Sequence, residues 1–393
     1  MDLCKMNAHL GMQSMFQGML RCGIKIVSML LLLGGVLLIA NGCTQTEPQS
    51  YSETGFALGT TCSIKIYGKE YKELLGPAIA IASDVEEKMS AHTENSEVAA
   101  INKNAGLRPV EVSSETFQLI NRAKQFSSIG DGIFDVSVGP LVELWDIGSG
   151  EEKVPSRKEI DKVLEKVNYN NVVLLTGSQT QSKTQSEKQG VSKEQTEEKS
   201  KVFLEKPGMK IDLGAIAKGY AADQIMEYLT SKGVGYGIVN LGGNVYAFGK
   251  KFSSSEWKIG IQSPEDERGR YIGILQLVDK AVVTSGKYER YFVEDGVRYH
   301  HILSTKDGFP VENGIASVSI ISSDATEADA LSTLVFGFGL EKGLRFTEER
   351  EGVEAIFVTE ENTVFTTSGL RSSFKLTDKN FRRGESKEVL NGD

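Results

Sequence analysis

Three stretches of this chain carry residue types that could handle a phosphorylated substrate. In ATEADALSTLVFG, residues 325 to 337, Asp329 and Thr333 are four apart and so share one helical face, with Ser332 beside them. A carboxylate next to hydroxyls is a hard-oxygen donor set. It suits Mg2+, which takes few protein ligands and keeps room for substrate phosphates. The same residues also fit a helix start, with Thr326 as N-cap and Asp329 completing a variant capping box. Both readings stand at this level. In KIDLGAIAKGYAAD, residues 210 to 223, Asp212 and Lys218 flank the change from a strand-like run to a helix. A phosphate loop needs its lysine after the second glycine, followed by Ser or Thr. Here Lys218 precedes Gly219 and Tyr220 follows, which argues against a nucleoside-triphosphate loop. A lysine in a first helical turn opposes the helix dipole and calls for a nearby anion, either Asp212 or a ligand phosphate.

The third stretch is YHHIL, residues 299 to 303, which holds two of the four histidines. On a strand His300 and His301 point to opposite faces, so one can line a site while the other packs or meets solvent. Histidine is the natural general base at neutral pH, although a lone strand histidine is more often structural. GIFDVSVGPLVELWDIG, residues 132 to 148, sets Asp135 in an apolar run. That carboxylate needs a backbone N–H or a ligand donor. Glycines in VNLGGNVYAFG and TSGKYERYF stand at strand ends, where backbone can approach a ligand closely.

The elements that must position these residues alternate between helices and many short strands. Helical spacing covers roughly 74–89 and 115–128, the latter capped by Ser113 or Ser114, and NSEVAAIN between them reads as turn-rich. Another helix follows Lys218, carrying Ala222, Ile225, Met226 and Leu229 on one face and ending at Gly233. A last one begins near Thr326, with its apolar stripe on Ala330, Leu331, Leu334, Val335 and Phe338, opposite Asp329 and Thr333. Strand patterns fall at 62–67, 236–241, 244–248, 257–262, 272–278, 281–284, 288–293 and 297–303, with a hairpin turn at Glu294-Asp295-Gly296. Strand runs interspersed with helices and tight turns predict an α+β fold, a compact two-lobed domain of mixed and antiparallel sheets flanked by helices. Residues 178–201 are a polar low-complexity run that reads as a disordered insertion in a hairpin, between VVLL and KVFLEK.

The ends of the chain suggest where it works. Arg21 and Lys25 precede the apolar run 29–40 and then NGC, ending at Cys43. Twelve apolar residues suit a signal-peptide core better than a bilayer span. The segment before Cys43 is similar to the lipobox of bacterial lipoproteins, although Ala40 and Asn41 replace the usual Leu and small residue. An uncleaved anchor is the alternative, and Met19 is an alternative start. The expectation is a signal peptide over 1–43, a polar tether over 44–54, a catalytic domain over 55–345 and its C-terminal part with a polar tail over 346–393. The chain would be exported and anchored through lipidated Cys43 to the outer face of a bacterial cell membrane. With Cys4 and Cys22 in the leader, only Cys62 remains, so the mature domain has no internal disulfide and no cysteine metal site. A net charge of −9 argues against nucleic-acid binding by phosphate neutralisation.

In their order along the chain, eight stretches resemble the FAD:protein FMN transferases, the ApbE-type flavin transferases. They are GFALGTTCSIKIYG, MSAHTENSEVAAIN, GIFDVSVGPLVELWDIG, KIDLGAIAKGYAAD, VNLGGNVYAFG, TSGKYERYF, HHILSTKDGFP and EADALSTLVFGFG, spanning about residues 55 to 345. The resemblance implies transfer of FMN from FAD to a Thr or Ser hydroxyl of a partner protein, with a divalent cation (Mg2+ or Mn2+) and release of AMP. It implies Asp329, Thr333, Ser332 and the Ala215 carbonyl as metal ligands. It implies FAD contacts at Leu58, His92, Ile133, Phe134, Asp135, Asp212, Lys218 and Leu303, with His301 as general base for the incoming hydroxyl. The chain departs from the family where Leu58 replaces a usual Met and His92 a usual Tyr. It departs again after the histidines, where Ser304, Thr305 and Asp307 stand in a turn that usually reads Asp-Pro-x-Thr-Gly. Two other readings share the site: an FAD pyrophosphatase, with water as acceptor, and a flavin-binding lipoprotein without turnover.

Overall fold

The structure, a computed structural model, describes residues 47–176, 200–252, 255–266 and 269–391. The expected leader through Cys43 and nearly all of the 178–201 insertion lie outside these residues. Nine strands form the large sheet, numbered here by their order in the chain. They are β1 (Ser50–Ala57), β2 (Thr60–Tyr67), β3 (Gly237–Leu241), β4 (Asn244–Phe248), β5 (Lys280–Gly286), β6 (Ile315–Ser322), β7 (Glu354–Thr359), β8 (Thr363–Thr366) and β9 (Arg382–Arg383). Their spatial order is their chain order. Every neighbouring pair is antiparallel except β8–β9, which is parallel. The stretches that carry chemistry are therefore excursions between neighbouring strands. KIDLGAIAKGYAAD lies between β2 and β3, the histidines between β5 and β6, and the Asp329 helix between β6 and β7.

Both faces of the sheet are covered. All eight residues of β6 are buried, although their side chains alternate: Val318 and Ile320 join the helix-side core, while Ile321 joins the core on the other face. Four helices, α1 (Leu75–Met89), α2 (Ser114–Ile129), α3 (Ala217–Ser231) and α4 (Ala325–Phe338), supply the helix side with Val85, Ile120, Ile225 and Leu331. A three-stranded sheet of Trp257–Gln262, Tyr271–Leu277 and Phe374–Leu376 covers the opposite face with Trp257, Leu275 and Phe374. A third cluster gathers around Trp145, whose indole N–H donates to the Gly308 carbonyl at 2.7 Å. The described residues from Pro48 onward form one compact unit.

Several elements differ from the sequence reading, each for a local reason. Ser50–Thr54 are the edge strand β1, not a tether, because their backbones pair with β2 even though most of the side chains stay exposed. NSEVAAIN folds as a helix, Glu97–Lys103, because the Ser96 hydroxyl accepts from the Ala99 N–H and buries Val98 and Ile101. Lys210 makes only an isolated bridge to Val138 and the Asp212 N–H donates to the Val136 carbonyl at 2.9 Å, so 210–212 are not a strand leading into α3. The strands Val172–Leu175 and Lys201–Leu204 do pair as a hairpin across the insertion.

Candidate active site

The helix α4 begins two residues earlier than a Thr326 cap would require. Asp324 is the N-cap, and its Oδ1 accepts from the Glu327 N–H at 2.7 Å. Thr326 instead donates its hydroxyl to Asp223 at 2.5 Å, and the N–H groups of Thr326 and Ala325 donate to the same carboxylate at 2.8 and 3.0 Å. Asp223, the last residue of KIDLGAIAKGYAAD, thus clamps α3 to the N-terminus of α4. Burial pushes its carboxyl above the usual range, against the hydrogen bonds that favour the anion. With the cap supplied by Asp324 and Asp223, Asp329 has no capping role.

Asp329 is only 3% exposed, and its carboxylate is held from three directions. Its Oδ2 accepts from the Gly219 N–H at 2.9 Å, and its Oδ1 accepts from Asn244 Nδ2 at 2.9 Å. Lys218 Nζ stands 3.6 Å from Oδ1 and donates to the Gly214 carbonyl at 3.2 Å. Lys218 does not pair with Asp212, whose Oδ1 turns to the Gly214 N–H at 2.7 Å. Gly219 is required by packing: a Cβ there would lie 2.2 Å from the Ala325 carbonyl oxygen. The glycine therefore serves a close helix–helix approach, not a strand–helix one.

Hydroxyls complete the cluster. The Ser332 hydroxyl donates to the Asp329 carbonyl at 2.8 Å. Ser285, on β5, lies 2.8 Å from Ser332 Oγ and 3.3 Å from Thr333 Oγ1. The polar face of α4 is thus turned inward onto β5 and α3, not toward solvent. Among the described residues no group of three or more His, Cys, Asp or Glu could hold a metal. A cation here would have one carboxylate and hydroxyls, with free positions for phosphate oxygens, which fits a hard Mg2+-type ion. Each Asp329 oxygen keeps a lone pair beyond the amide hydrogen bond it accepts.

His301 adds a base. Both its N–H and its Nδ1 lie against the Arg290 carbonyl, at 3.1 and 3.2 Å. A carbonyl only accepts, so Nδ1 carries the proton and Nε2 is left with a free lone pair. Burial pushes the ring down to about 4, and the charges of Arg290 and Lys218 act in the same direction. The influence of Lys218 ties His301 electrostatically to the Asp329 cluster. His300 turns the other way, wholly buried, with Nε2 donating to the Val311 carbonyl at 3.0 Å and its ring edge-on to Phe336.

The other residues named from sequence fall in several places. Ala215 is half-buried just ahead of α3. Leu58 occupies the β1–β2 turn with φ of 55°. His92 is exposed, its N–H donating to Ser90 Oγ at 3.1 Å. Ile133 is half-buried and Phe134 packs edge-on against Phe126. Asp135 is satisfied by protein donors: the Ser137 N–H and hydroxyl at 2.7 Å each, and the Tyr169 N–H at 3.0 Å. Leu303 is buried in the Trp145 cluster. The Thr305 hydroxyl donates to the Gly132 carbonyl at 2.6 Å, which ties the segment after His301 to the Ile133–Asp135 loop. Lys218, Asp329, Ser332 and Thr333 are thus brought together, and His301 is linked to them through the electrostatic influence of Lys218 alone. Sequence reasoning missed Asn244, Ser285 and Asp223. Their stretches stood out for glycines or for a lysine, while the side chains that reach α4 sit beside those landmarks.

The family model described as the ApbE family matches residues 58–357. The chain belongs to the ApbE family. Among ApbE-related proteins, an FAD:protein FMN transferase of Klebsiella pneumoniae (strain 342) is 36% identical over 337 residues, covering 86% of this chain and 98% of the relative. One from Treponema pallidum (strain Nichols) is 33% identical over 345 residues, covering 85% and 91%. The crystal structure of the ApbE protein from Thermotoga maritima superposes with a TM-score of 0.70 at 35% identity, covering 82% of this chain and 98% of that one. The flavin transferase ApbE from Vibrio cholerae gives 0.68 at 25% identity, covering 83% and 99%.

Proposed function

We propose that this chain is an FAD:protein FMN transferase, moving the FMN part of FAD onto a Thr or Ser hydroxyl of a partner protein and releasing AMP. The family and the names of its relatives support the reaction class. The observation that carries the site assignment is the cluster around Asp329, where a held carboxylate, three hydroxyls and Lys218 converge, and Lys218 acts electrostatically on a histidine with a free Nε2.

Asp329, Thr333 and Ser332, with the Ala215 carbonyl, would hold the cation, Mg2+ or Mn2+. When bound it neutralises the pyrophosphate and polarises the phosphorus to be attacked. Lys218, at the N-terminus of α3, adds positive potential for the phosphates. His301 Nε2 takes the proton of the acceptor hydroxyl as its oxygen forms a bond to the FMN phosphorus. The bond from that phosphorus to the bridging oxygen breaks, and AMP leaves with the electron pair. Leu58, His92, Ile133, Phe134, Asp135, Asp212 and Leu303 are assigned to the FAD side by the family's motifs. The leader ending at Cys43 supports an exported, lipid-anchored enzyme whose acceptors lie outside the cytoplasm.

The test is product analysis by mass spectrometry after incubation with FAD, Mg2+ and an acceptor domain. Covalent FMN on a Thr or Ser, with AMP released, supports the transferase. Free FMN with AMP means a pyrophosphatase, and intact FAD means a binding protein.

A further inference from the structure

We propose that the hairpin from Tyr291 to His300 is the docking surface for the acceptor polypeptide, which lies along it in extended form. This rests on the transferase reading. The strands Tyr291–Glu294 and Val297–His300 pair with each other and with no other strand among the described residues. Tyr291 and Val293, on one face of the hairpin, are 42% and 58% exposed and form an apolar ridge, while Val297, 50% exposed, lies beside the turn on the other face. One face of the hairpin is nevertheless packed down. Phe292 and Tyr299 stack with centroids 5.3 Å apart, and both pack against Trp145. On the other face the Arg298 guanidinium lies over the Tyr291 ring at 4.3 Å.

The root of the hairpin is what selects the occupant. Tyr291 is directly opposite His300, and the preceding Arg290 carbonyl holds both the N–H and Nδ1 of His301. The apolar ridge therefore begins one residue from the base that must meet the acceptor hydroxyl. At about 3.3 Å per residue it runs roughly 10 Å outward to the turn. An extended chain alternates its side chains, so a hydroxyl turned to His301 places its neighbours at odd offsets toward Tyr291 and Val293. Main-chain hydrogen bonds along a free strand edge would give affinity, and the apolar contacts would give register. A second copy of this chain seated on the same ridge would stand over His301, so a substrate polypeptide is the occupant that the position favours.

The test uses the whole chain with FAD, Mg2+ and an acceptor domain. The variant Tyr291→Ser, Val293→Ser changes only exposed side chains of the ridge. It should raise KM for the acceptor about tenfold or more, as loss of interface anchors does, while FAD affinity is unchanged. A photocrosslinking residue in place of Val293 should capture the acceptor within about four residues of the flavinylated hydroxyl, the reach of the ridge at strand rise. An unchanged acceptor KM overturns the proposal, as does an equal loss of FAD affinity or a crosslink to a second copy of this chain. If the wild-type chain transfers no FMN at all, the transferase reading itself fails, and the docking surface with it.

Discussion

The Gly219 N–H donates to Asp329 Oδ2 at 2.9 Å, across a helix contact so close that any Cβ on Gly219 would strike the Ala325 backbone. The glycine of a stretch that first suggests a phosphate loop is thus a packing residue that aims a carboxylate. Gly219→Ala should gain about 1 kcal/mol in helix propensity, yet the clash is with backbone, which cannot move aside. A net destabilisation of about 1–3 kcal/mol is expected, read by urea denaturation, with loss of divalent-cation affinity. A more stable variant with unchanged cation binding would refute the close contact.

Asn244 fixes the other oxygen of Asp329. Replacing it with Ala leaves Oδ1 with Lys218 as its remaining partner and frees the carboxylate to turn. Cation affinity, followed by Mn2+ electron paramagnetic resonance, should fall about 10–100-fold. FAD binding measured in chelator should be unaffected.

Asp223→Ala removes one carboxylate and strands two buried N–H donors at the start of α4. The cost expected is about 1–3 kcal/mol of stability by chemical denaturation. Thr326→Ala, which loses only the hydroxyl bond, should cost less.

The histidines predict the acid side of the stability profile. Burial pushes His300 and His301 below their ordinary 6.5, His301 to about 4. The unfolded chain binds those protons first as pH falls, so their contribution is complete above about pH 6.5 and is lost from there downward. Asp135 and Asp223, pushed up by burial, act in the opposite sense within the carboxylate range. Stability should therefore decline from pH 7 to pH 5, and His301→Gln should flatten that slope. An unchanged slope would contradict a neutral, protein-held imidazole.

How much of this was legible beforehand depended on whether the signal was local. Alternation revealed four of the nine strands of the large sheet, β2 to β5, and the spacing of Asp329 and Thr333 marked the chemical face of α4; β6 to β9 went unread, β6 because all eight of its residues are buried and so show no in–out alternation. The edge strand β1 was hidden because most of its side chains remain in water, so only backbone pairing declares it. The short helix over Glu97–Lys103 depended on one cap. Asn244, Ser285 and Asp223 act on α4 from separate elements, β4, β5 and α3, and no spacing along the chain encodes those contacts. Asp212 illustrates the converse, since a neighbour in sequence suggested a Lys218 pair that the Asx-type turn to Gly214 replaces.

The central claim is that Asp329 organises an FMN-transfer site. Its most direct test compares wild type with Asp329→Ala by intact-mass analysis of an acceptor domain after incubation with FAD and Mg2+, with folding checked by circular dichroism. Wild type should place one covalent FMN on a Thr or Ser and release AMP, and the folded variant should leave acceptor and FAD unchanged. Undiminished FMN transfer by folded Asp329→Ala would contradict the account.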